Sequence, residues 1–127
     1  MAAGDNSYLE SDGKAVHVNL LYTVNVHELL VVEGWVGIAG EDGESGDMIA
    51  LSVDDREYQF TVPTGLAVAK GAIVYLEVAD LTGHKPDDTA YTTTAGAGKV
   101  ALFKATAAKD VNNVVTGIML AHNALAS

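Results

Sequence analysis

The sequence predicts an all-β domain, a small barrel or sandwich of about eight short strands behind an extended N-terminal arm. Three observations carry that expectation. Apolar residues recur at every second position in several runs, and clusters of Gly, Pro, Asn and Asp punctuate those runs at short intervals. No segment holds the three- and four-residue spacing of an amphipathic helix. The chain has 127 residues, 49% of them apolar, which suits one domain with a substantial core.

Residues 1–13 have no periodicity and are rich in Gly, Ser, Asp and Asn. They read as an arm, with residues 14–127 as the β domain. Fully extended, such an arm reaches at most about 45 Å. Tyr8 and Leu9 are its large apolar side chains and its candidate anchors.

From Val16 the pattern turns to period two. Val16, Val18, Leu20, Tyr22, Val24 and Val26 share one parity, and His17, Asn19, Thr23, Asn25 and His27 take the other. That alternation predicts a half-buried strand, because successive side chains point to opposite faces. Residues 29–32 and 35–39 are continuous apolar runs either side of Glu33-Gly34, as expected of strands buried on both faces. Residues 40–47 form a loop by composition. Ile49, Leu51 and Val53 then alternate with small residues, Asp54-Asp55-Arg56 supplies a turn, and Tyr58, Phe60 and Val62 alternate again. This predicts a hairpin ended by Pro63-Thr64-Gly65. Further strands are expected over residues 72–78, 100–106 and 114–120, with a long excursion over 80–95 and a small-residue tail over 121–127.

Charge excludes several function classes. Seven Lys and Arg stand against 17 Asp and Glu, a formal net charge of −10. Binders of nucleic acid neutralise phosphates with clustered basic side chains, which this chain lacks. Binding to nucleic acid or to an anionic membrane surface is therefore not expected. The most apolar stretch, residues 16–39, is interrupted by His, Asn and Glu and does not read as a membrane span. The acidic N-terminus does not read as a signal peptide, so use without export is expected. With no cysteine, disulfides and thiolate chemistry are ruled out.

Motifs for chemistry are weak. His17 and His27 lie on the polar parity of one run, His84 beside Pro86-Asp87-Asp88, and His122 near the C-terminus. None has metal-ligand spacing, and four solvent-facing histidines are the plainer reading. The loop with Glu41, Asp42, Glu44 and Asp47 has the composition of a calcium loop without its full twelve-residue pattern, and reads as a solvated loop. Gly96-Ala97-Gly98-Lys99 lacks the spacing and following helix of a phosphate loop. No nucleophile elbow is present. No metal, cofactor or catalytic role is expected.

The order of glycine turns and strands resembles that of tailed-bacteriophage capsid cement proteins, also called head decoration proteins. The resemblance rests on Gly34-Trp35-Val36-Gly37-Ile38-Ala39, on Gly43 with Gly46-Asp47-Met48-Ile49-Ala50-Leu51, and on Tyr58-Gln59-Phe60-Thr61-Val62-Pro63. It continues through Lys70-Gly71-Ala72-Ile73-Val74-Tyr75 and Val100-Ala101-Leu102-Phe103-Lys104-Ala105 to a closing strand over 114–120. It spans about residues 14–121. Two departures are visible: Lys99-Val100 stands where the family usually has an aliphatic residue and glycine, and the acidic arm is longer.

The resemblance implies a small β-barrel or β-tulip-like domain and a non-enzymatic virion protein, made in the host cytoplasm and bound to the outside of an expanded phage head. Its partner would be the major capsid protein, and its assembly a homotrimer bridging neighbouring capsomers. The arm around Tyr8 and Leu9 either adds a strand to a capsid sheet or stays disordered. A second reading is a small β-barrel module binding a carbohydrate or other small molecule, with Trp35 or Tyr91 as a stacking surface. A third is an enzyme pairing His17 or His27 with a carboxylate.

Overall fold

The computed structural model describes residues 14–120. The arm with Tyr8 and Leu9, the tail over 121–127 and His122 lie outside the described residues. The chain is all-β: among the described residues, eight strands of four to seven residues are joined by three two-residue strands and one short 3-10 turn.

Strands β1 (Ala15–Asn19), β2 (Leu29–Val32), β3 (Trp35–Ala39) and β4 (Met48–Ser52) form an antiparallel sheet in the order β1-β4-β3-β2. Strands β5 (Glu57–Thr61), β6 (Ile73–Glu77), β9 (Tyr91–Thr92), β10 (Lys99–Ala105) and β11 (Val114–Met119) form a second, in the order β5-β11-β10-β6-β9. Between β6 and β9 lies a small ribbon, β7 (Leu81–Thr82) with β8 (Lys85–Pro86). Among the described residues the strand pairing of neither sheet closes into a barrel, and the all-β class holds.

The apolar runs of β2 and β3 are buried on both faces. Leu30, Val32 and Ala39 face a cluster built with Val18, Leu20, Ile49 and Leu51. Val36, with Leu29, Val31 and Ile38, joins the larger cluster of the five-stranded sheet around Phe60, Leu76, Leu102 and Phe103. Two strands thus serve two cores. Their connection is a two-residue turn in which Glu33 (φ 51°) and Gly34 (φ 83°) both take positive φ, and Val32 pairs directly with Trp35. This is the type I′ geometry that matches strand twist.

Two expectations need correction. The hairpin over residues 49–62 does not form. β4 is already paired on both edges, with β1 and β3, so β5 pairs with β11 in the other sheet. Residues 53–56 are a crossover, and Val53 and Asp54 are buried within it. The Asp54 carboxylate accepts the Tyr58 hydroxyl and is ion-paired with Arg56. The second correction concerns residues 16–26. The strand ends at Asn19; Val18, Leu20 and Val24 are buried as their parity requires, but Tyr22 and Val26 are exposed. Leu20 donates its N–H to Asp47 O at 2.8 Å, whereas Leu21 donates to the His84 side chain, and the chain bends there.

Candidate functional site

A cleft of about 280 Å³ opens where the two sheets meet. Leu29 and Ile38 reach it from β2 and β3, Phe60 from β5, Pro86 from the ribbon and Tyr91 from β9. Its polar lining comes from His27, Gln59, Thr61, Glu28 and Lys85. The last two form an ion pair at 3.1 Å, joining the β2 edge to the ribbon. Glu28 also accepts the Asn25 N–H at 2.6 Å, and this bond orders the turn that presents His27 at φ 71°.

Tyr91 brings a phenol to the cleft. Burial, with a smaller contribution from the Asp88 charge, pushes its phenol up to about 12. It stays neutral well beyond physiological pH and offers a ring and a hydroxyl. Such a surface can stack on a planar or sugar face and can donate one hydrogen bond.

β5 is an edge strand beside this cleft. Val62 N–H bonds Asn113 O at 2.9 Å and Met119 N–H bonds Arg56 O at 3.2 Å, so the even-numbered residues of β5 face β11. By alternation, the backbone groups of Glu57, Gln59 and Thr61 point away from that ladder.

The histidines are dispersed. His17 is exposed on β1 and His27 stands at the cleft rim. His84 is buried, at 7% exposure, which corrects its reading as a solvent-facing loop residue. It occupies the tip of the β7–β8 ribbon, accepts the Leu21 N–H on Nε2 at 2.9 Å, and meets the edge of Tyr22 at 5.1 Å. Its carbonyl accepts the Val31 N–H at 2.8 Å. The signal for this was Gly83: with φ 63° it closes a two-residue turn between Thr82 and Lys85 and turns the imidazole inward.

The carboxylates of the loop over 40–47 serve backbone donors. Asp42 accepts the Val26 N–H at 2.7 Å, Asp47 the Glu44 N–H at 2.8 Å, and Glu41 the Ala50 N–H at 3.3 Å. Among the described residues, no three His, Asp or Glu side chains converge as a metal site. Gly96 to Lys99 is a turn entering β10, and no helix follows it. Trp35 is half-buried against the core of the four-stranded sheet and is not among the residues lining the cleft; Tyr91 is. Among the described residues, no helix is long and apolar enough to cross a membrane.

Compared with known proteins, the chain matches no family model, no curated protein and no solved structure.

Proposed function

We propose that this chain is a structural cement protein, binding the outer surface of an expanded phage head through the major capsid protein. The observation that supports the reading is the placement of the segments on which the resemblance rests. In chain order they are β3, β4, β5, β6, β10 and β11, the main strands of both sheets. The double core built on β2 and β3 suits a rigid clamp, which loses little entropy on docking. The arm joins the domain at Lys14, whose carbonyl accepts the Val53 N–H at 2.9 Å beside edge strand β1. A chain segment that continues from such an edge could add to a neighbouring sheet by backbone pairing.

Cement acts by mass action: a protein that binds the expanded shell and not its precursor stabilises the shell. Repetition over a lattice, with a homotrimer engaging several capsomers, multiplies a modest contact energy. The reading is tested by heating expanded, undecorated heads with and without the protein. A cement protein raises the rupture temperature in a saturable way, and an unchanged rupture temperature at saturating protein refutes it.

The cleft favours a second reading, a module for a carbohydrate or other small ligand held against Tyr91. A screen of sugars by thermal denaturation tests it. A ligand that raises Tm for the full chain and not for Tyr91→Ala would favour the module over the clamp.

A further inference from the structure

Charge is segregated within this fold. Residues 15–55, which build β1 to β4 and their connections, contain eight Asp and Glu and no Lys or Arg. All seven basic residues lie outside that span. Within that span Glu28 meets Lys85 and Asp54 meets Arg56.

The same span exposes large apolar side chains. Leu21 is 71% exposed, Met48 60% and Tyr22 54%. The segments that carry them run side by side: Met48 pairs across from Asn19, two residues before Leu21, and Gly46 N–H bonds Leu20 O at 2.8 Å. Single exposed apolar residues are ordinary, but adjoining ones mark interaction surfaces.

The backbone beneath them is fixed. His84 holds the Leu21 N–H, and the Tyr22 ring lies over Gly83, where an added Cβ would stand 3.4 Å from Tyr22 Cγ. Carboxylates on the adjoining connections are held too: Glu33 accepts the Asn19 N–H, Asp42 the Val26 N–H, and Asp47, which precedes Met48, the Glu44 N–H. A surface already ordered in this way loses less entropy when a partner binds.

We infer that this face docks a polypeptide presenting aliphatic or aromatic side chains bordered by Lys or Arg. The apolar centre supplies the binding energy, and the acidic rim selects the sign of the partner's border. A second copy of this chain is disfavoured, because an isologous contact sets two acidic rims against each other. Nucleic acid and anionic bilayers are repelled for the same reason. The inference rests on the patch and its charge and is independent of the capsid reading.

The test titrates the isotope-labelled full chain with a short peptide alternating Lys and Leu, read by amide chemical shifts. Two control peptides replace Lys by Glu or Leu by Ser. Saturable shifts centred on Leu21, Tyr22 and Met48 are expected, with both controls binding about tenfold or more weakly. The exposed-site variant Leu21→Asn with Met48→Gln should weaken binding about tenfold, and physiological salt should weaken it several-fold relative to low salt. The inference is overturned by no binding, by shifts centred elsewhere, or by equal affinity for either control. Patch shifts that grow with protein concentration alone would also overturn it, since the occupant would then be a second copy.

Discussion

Gly117 has no room for a side chain. A Cβ there would stand 2.5 Å from Phe103 Cδ2 and 2.9 Å from the Lys104 carbonyl oxygen. Phe103 cannot yield, because its ring is stacked on Phe60 at 4.2 Å between centroids within the larger core. Gly117→Ala is therefore expected to destabilise the fold by about 1–3 kcal/mol, as overpacking does. Urea denaturation measures this, and a change within 0.5 kcal/mol, about the scatter of surface substitutions, would refute the account of that contact.

At Asp54, Tyr58→Phe removes the hydroxyl that a buried carboxylate accepts, and a loss of about 1–3 kcal/mol is expected at neutral pH. Tyr91 gives a pH signature. Its phenol ionises at 10.0 when unfolded and at about 12 in the fold, so its contribution is fully present below pH 10. That contribution is lost as pH rises from 10 toward about 12. Tyr91→Phe should flatten this alkaline decline, as read by denaturation at a series of pH values. A wild-type curve without the decline would contradict the burial of the phenol.

At the scale of elements, the double burial of β2 and β3 was legible. A continuous apolar run has no polar parity to offer solvent, and these two strands accordingly contribute to both cores. Leu30→Ala, at a site with 0% exposure, should cost about 2–5 kcal/mol, and Leu29→Ala on the opposite face of β2 should cost less. Equal losses would contradict the assignment of the two faces.

Strand pairing was much less legible. Alternation over 49–53 and 58–62 marks two strands, but whether they pair depends on which sheet edge is vacant. That is settled by β1 and β3 occupying both sides of β4. The bulge in β10, where the register slips between Ala101 and Phe103 and buries Leu102 and Phe103 together, likewise follows from packing rather than local pattern. The cleft was invisible for the same reason: its lining comes from β2, β3, β5, the ribbon and β9, and no two of those segments share a motif. Of its lining residues, the pattern singles out Tyr91 as a stacking side chain and His27 as a candidate partner of a carboxylate.

Over the whole molecule, β2 and β3 couple the two sheets, because neither core is complete without them. Unfolding is expected as one cooperative transition, with fluorescence from Trp35 in one core and far-ultraviolet dichroism from both sheets changing together. Separate transitions would mean that the sheets are independent units. The molecule is also polar in charge: the segments that connect the strands of its four-stranded sheet carry carboxylates and no Lys or Arg, and its basic residues belong to the other parts of the chain. An acidic capsid exterior would therefore not attract it from a distance, and docking as cement would rely on apolar packing and backbone pairing.

Co-sedimentation of the purified protein with expanded, undecorated phage heads measures that docking. The cement account predicts saturable binding at a fixed copy number per capsid protein, with weakened binding after removal of residues 1–13 if the arm docks. No binding to the cognate expanded head would contradict it.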